Sequence, residues 1–186
     1  MTNDEFRKRL DAITTDRSAD LWLSDIEDLG RSYPHAIRHL DLGLNRGFNC
    51  FAFALGLVPS VAYFSVASRS YSPNVHASSA FVRWLLDHEH LQSTDDTGRN
   101  DQVVVYFAGT EPTHAGQTDH GQVVSKWGTG HWFRHGLFEV PSNYGLRVEH
   151  FARPETSAIE AAFLEFANLQ GVPVTRFVPD WRAPPN

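Results

Sequence analysis

The stretch QVVVYFAGTEPTHAGQTDHGQVVSKWG, residues 102 to 128, decides the fold. Its apolar residues come in short blocks rich in valine and aromatics, cut by glycine-containing turns, and such blocks read as β-strands. The spacing predicts strands over 102–109, around THAGQ (113–117), over 121–128, and again around HGLFEVP (135–141). Strands this close in sequence pair antiparallel, because a parallel return needs a crossover of a dozen or more residues. The expectation is an antiparallel meander.

Outside this stretch the period changes to that of helices. Residues 3–15 set Phe6, Leu10 and Ile13 on one stripe, with Asp4 and Glu5 in the first turn. From 17 to 44 the pattern is irregular, with Gly30, Pro34 and Gly43 as punctuation, and YPHAIRHLDLG (33–43) reads as a wrapping segment. NCFAFALG (49–56) offers Asn49 as a helix cap and Gly56 followed by Pro59 as a stop. Ala77, Phe81, Trp84, Leu85, His88 and Leu91 recur at spacings of three and four, predicting a helix over 77–91. STDDTGRND (93–101) is a polar loop. Residues 155–169 are helical by Ile159, Ala162, Phe163, Phe166 and Leu169, closed by Gly171, and VPVTRFV (172–178) adds a last strand.

The chain of 186 residues is long enough to bury a core without staples, and no repeat or linker divides it, so one α+β domain is expected. Its net charge of −6, with 16 Lys and Arg that form no run, excludes nucleic-acid binding through a basic surface. One cysteine excludes an internal disulfide. The beginning, MTNDEFRKRLDAITTD, mixes charges and has no apolar region of a secretory signal, and no window approaches the roughly 18 apolar residues of a membrane span. The expectation is a cytoplasmic protein as synthesised, with no membrane partner, unless an apparatus exports it without a cleaved signal.

The lone cysteine, Cys50, heads the NCFAFALG helix. A helix N-terminus carries about half a positive charge and pulls a thiol below its ordinary pKa of about 8.5. That makes Cys50 a candidate thiolate nucleophile, against the alternative of a small buried hydrophobe. A thiol nucleophile needs a base brought close by the fold, normally an imidazole. Of ten histidines, His114 stands out, because it opens the small-residue segment HAG directly after a strand and its turn.

The order of these segments resembles a known arrangement. A cysteine opening a short helix in NCFAFALG, a following helix, then VVVYFAGTEPTHAG, VVSKWG, RHGLFEVPSNYG and ARP are similar to an uncharacterised bacterial domain family of the papain-like superfamily, near the NlpC-type cysteine peptidases and amidases. The resemblance spans about residues 45–154, and rests on Asn49-Cys50, His114-Ala115 and Ser125-Lys126-x-Gly128 taken together. It implies a papain-like core between an N-terminal helix with its wrapping segment (1–44) and a C-terminal helix and tail (155–186). It also implies Cys50 as nucleophile, His114 as base and a third, orienting residue at or near Ser125. Such enzymes usually have His, Asn or Gln there, so Ser125 departs from the pattern, and His135 or Gln122 are alternatives. The third group sets tautomer and orientation without taking the proton.

The backbone N–H of Cys50, with Asn49 or Asn45 beside it, is the candidate oxyanion donor. Asn49 reads equally as a plain cap. Tyr144 before Gly145, and Trp127 and Trp132 around the glycine-rich GTGH turn, are candidates for substrate contact; each also reads as a core aromatic. No cofactor is required. The expected activity is cysteine-dependent hydrolysis or acyl transfer at an amide of a peptide, peptidoglycan or protein side chain. An effector or toxin delivered to another cell would bring a cognate inhibitor or a delivery partner. Two rivals remain. One is an inactive papain-like binding module. The other is a metal-dependent hydrolase built on His114, Asp119, His120, His131 and His135, which lie between positions 114 and 135.

Overall fold

The computed structural model describes residues 1–42, 47–67, 75–97, 99–128, 130–172 and 174. Six strands form one sheet: β1 (Arg38–Leu40), β2 (Val103–Ala108), β3 (Glu111–Asp119), β4 (Gln122–Lys126), β5 (Trp132–His135) and β6 (Arg147–Phe151), in the order β1-β5-β4-β3-β2-β6. Every pairing is antiparallel. β2 to β5 make the meander that the valine blocks predict, and the chain is α+β.

The fourth expected strand is displaced. β5 is Trp132–His135, and HGLFEVP beyond His135 forms a turn, because the Glu139 carboxylate accepts the N–H of Gly136 at 2.8 Å and that of Ala36 on both oxygens, at 2.9 and 3.1 Å. The last strand expected at 172–178 falls mostly outside the described residues.

Helices cover both faces of the sheet. Valines 103 and 105, Phe107, Ala115, Trp132 and Phe151 face a core shared with α3 (Cys50–Ala54), α4 (Val61–Ala67), α5 (Ser79–Asp87) and α6 (Thr156–Leu169). Val104, Tyr106, Val123 and Phe133 face a second core closed by α1 (Asn3–Asp16) and α2 (Ala19–Ser32). Adjacent strand residues point to opposite faces, so the buried valines of β2 supply both cores. α1 begins with a reciprocal cap: Thr2 Oγ1 accepts the Glu5 N–H at 3.2 Å and Glu5 accepts the Thr2 N–H at 2.7 Å.

α2 corrects the irregular reading of 17–44. Its apolar face is narrow, burying Trp22 and Ile26, and Gly30 looks like punctuation although it lies within the helix. The glycine is there because the ring of His35 fills its side-chain space: a Cβ would lie 3.0 Å from His35 Nε2. α4 went unread for its shortness. α5 is shorter than its apolar pattern, because the chain leaves the helix at His88 and Glu89 takes a positive φ of 58°.

Phe81 is fully buried among Phe163, at 5.3 Å between ring centroids, Phe166 and Trp84. Phe81→Ala is expected to cost about 3–5 kcal/mol by emptying that space. Val61→Ala, at a residue 80% exposed, is expected to stay within about 0.5 kcal/mol. Urea denaturation midpoints of the two variants check the contrast.

Candidate active site

The site begins where the sheet opens. β3 pairs with β4 only from Gly116, opposite Ser125, to Asp119, opposite Gln122; from Glu111 to Ala115 it pairs with β2 alone. The N-terminus of α3 packs against this split. Asn49 caps the helix, accepting the Ala52 N–H at 3.0 Å, and its amide donates to the Ala77 carbonyl at 2.6 Å. Both ends of the Asn49 side chain are therefore occupied. Asn45 lies outside the described residues.

Cys50 is 6% exposed. Its sulfur is met by the backbone N–H groups of Ala115, Phe51 and Cys50 itself, and feels the charge of Lys126. All of these favour a thiolate, yet burial outweighs them and pushes the thiol up to about 11. The expectation of a thiolate at the helix head is corrected on this point. A five-residue helix head supplies donors, and the water-free surroundings penalise the charge by more.

His114 stands one residue before Ala115 and points to the other face, with Tyr106 opposite it in the ladder. Its ring stacks on Tyr144, centroids 3.9 Å apart and planes 11° apart. His114 is 1% exposed, neither ring nitrogen has a hydrogen-bond partner among the described residues, and burial, with His135 adding, holds its pKa well below the usual value. No hydrogen bond joins it to Cys50. The thiol and the imidazole nonetheless lie at the same end of the sheet. The pKa of Tyr144 is raised by burial first and by Cys50 second, with the Gly128 backbone opposing.

Two of the three candidates for the third role are bonded to each other. Ser125 Oγ lies 2.8 Å from His135 Nε2, and His135 Nδ1 lies 2.9 Å from the Gly136 carbonyl, so Nδ1 carries the proton and Ser125 donates. Trp127 Nε1 donates to Ser125 at 3.1 Å and packs on Phe133. Burial pushes His135 down to about 4 against the opposing effects of Gly136 and Glu139. Gln122 sits at the far end of β4, opposite Asp119.

Two residues unforeseen in the sequence complete the surroundings. Arg7 of α1 is buried and donates to the carbonyls of Val140 at 3.1 Å, Pro141 at 3.3 Å and Gly145. Thr113 Oγ1 donates to the Tyr144 carbonyl at 2.6 Å. Together they fix the 3-10 turn Ser142–Tyr144, and with it the ring on His114. Gly145 ends that turn at φ 88°, where a Cβ would lie 2.0 Å from the Phe107 carbonyl. Lys126 is fully buried on the Cys50 face. Burial pulls its pKa down to about 8, with Cys50 opposing. Only its place in a strand next to Ser125 could have drawn attention to it.

The histidine and aspartate cluster does not converge. Asp119 binds Arg134 and His120, His131 Nε2 lies 2.9 Å from the Ala19 carbonyl, and His135 is held by Ser125. Among the described residues no three His, Cys, Asp or Glu side chains are placed to hold a metal ion. Among them too, no helix is long and apolar enough to cross a membrane.

Residues 43–152 match DUF7689, a domain of unknown function. The chain belongs to this family. Its boundaries enclose the whole site, from the segment before Cys50 to the end of β6. No curated protein and no solved structure matches the chain.

Because His135 is buried with a pKa near 4, the unfolded chain binds a proton that the folded chain refuses between about pH 6.5 and 4. Its contribution is fully present above 6.5 and is lost as the pH falls to 4, by on the order of 3 kcal/mol, with His114 acting in the same direction. Urea midpoints measured across that window are expected to drop; a flat profile would show that these imidazoles become protonated without unfolding.

Proposed function

We propose that this DUF7689 protein is a cysteine-dependent hydrolase or acyl transferase acting on an amide bond, with a papain-like arrangement near that of the NlpC-type peptidases. The observation that carries this reading is His114: a buried imidazole with both nitrogens unbonded, one residue from the Ala115 N–H that meets Cys50. Leaving a buried polar atom unpaired costs about 1–3 kcal/mol, and a purely structural core has no use for two of them on one ring.

In this reading the ring leaves Tyr144 and turns into the β3–β4 split when substrate opens the site and water or substrate reaches Cys50. His114 takes the thiol proton, the thiolate adds to the amide carbonyl, and the backbone N–H groups of Cys50 and Phe51 hold the oxyanion. The C–N bond breaks as His114 returns the proton to the leaving nitrogen. Water, or an amine in a transferase, then cleaves the thioester and restores the thiol. The amide belongs to a peptide, to peptidoglycan or to a protein side chain. Peptidoglycan would be reached by export of a protein made in the cytoplasm.

A second reading, an inactive module of the same shape, is favoured by the thiol held near 11 and by the absence of a Cys50–His114 hydrogen bond. Iodoacetamide alkylation of Cys50 against pH separates the two. Alkylation proceeds through the opened site, so its midpoint reports the thiol there, freed of the burial that dominates in the closed form. Catalysis predicts a midpoint below about 8.5 that rises in His114→Ala. A thiol that resists alkylation because the site does not open, or a midpoint indifferent to His114, supports the module.

A further inference from the structure

On the Cys50 face of the sheet, two side chains that can only donate hydrogen bonds lack the acceptor their burial calls for. Lys126 is fully buried, and among the described residues no carboxylate pairs with it. Its Nζ donates to the Gly130 carbonyl at 3.0 Å and lies 5.5 Å from the centre of the Phe48 ring. Trp132 stands directly opposite it on β5, 6% exposed, with an indole N–H that has no partner among the described residues. The Trp132 ring packs on the same Phe48, centroids 5.7 Å apart, and on Phe53 at 4.4 Å. Phe48 and Phe53 flank Cys50 in sequence and share its core. Ammonium, indole N–H and thiol therefore share one wall.

Buried charges are ordinarily paired and buried donors ordinarily bonded. A lysine that only stapled the Gly130 carbonyl would leave its charge uncompensated, and nothing in that role would leave the neighbouring indole orphaned. One ligand group answers both: a carboxylate, with one oxygen for the ammonium and one for the indole N–H. We propose that Lys126 and Trp132 form a carboxylate-binding subsite beside Cys50. Resting on the reading of Cys50 as nucleophile, the inference extends to the substrate: the amide that is cleaved carries a free carboxylate close to its carbonyl.

The test is a titration of the nitrogen-15-labelled full chain with glutarate and with its uncharged twin glutaramide, following the Trp132 indole N–H signal by NMR. Glutarate is expected to move that signal saturably, at a concentration at least about tenfold lower than glutaramide needs. Lys126→Met is expected to abolish the preference and Cys50→Ala to leave it intact. Trp132→Phe keeps the packing and removes the N–H, and is expected to weaken glutarate several-fold when binding is followed at the Cys50 and Phe51 amides. Equal response to both probes, no response, or a preference that survives Lys126→Met overturns the subsite. Such a failure alongside His114-dependent alkylation leaves the amide chemistry standing with a neutral substrate. Glutarate binding beside an inert thiol supports the subsite and removes only the chemistry.

Discussion

The end of the β3–β4 ladder at Gly116 and Ser125 is the constraint on which the rest depends. One position further up β3, the Ala115 N–H has no β4 partner and meets the sulfur of Cys50 instead. The same step places Ala115 in the core with α3 and turns His114 to the opposite face, because a strand alternates residue by residue. A ladder one pair longer would give that edge of β3 a backbone partner and leave Cys50 without its donor from the sheet. The nucleophile candidate, its extra donor and its candidate base are thus set by where one pairing stops.

Burial sets the charge states around that point. The thiol is raised, Lys126 is lowered, and both site imidazoles are lowered, each with desolvation as the first cause. Proton transfer from Cys50 to Lys126 is uphill, since the thiol is held near 11 and the amine near 8. Near neutral pH the site holds a neutral thiol beside a lysine cation, with neutral imidazoles behind it. The donors at the sulfur are in place, and the missing element is solvation of the charge they would stabilise.

The meander β2 to β5 was legible because valine blocks cut by glycine turns carry their own strand signal, whereas the two edge strands β1 and β6 carry none and went unpredicted; α1, α3 and α6 were legible from caps and stripes. α2 was hidden by a face of two large anchors and a glycine that exists for the sake of His35, a contact between residues that no periodicity reports. Cys50 and the Ser125–His135 neighbourhood could be picked out by residue type and context. Their pairing could not: which of two faces His114 takes depends on the strand register, and a slip of one residue reverses it. The burial of Arg7 and Lys126 was unreadable for a related reason. Each looks like one more scattered surface cation until the fold carries it inside.

Arg7 shows how much of the site is held from outside it. Its guanidinium gathers three carbonyls around the turn that presents Tyr144, and that ring covers His114. Burying an arginine against carbonyls alone is expensive unless its donors are well used, and burial does lower its pKa. The arrangement fixes Tyr144, whose ring stacks on the imidazole. α1 lies outside the DUF7689 boundaries, yet through Arg7 it sets the position of the ring stacked on His114.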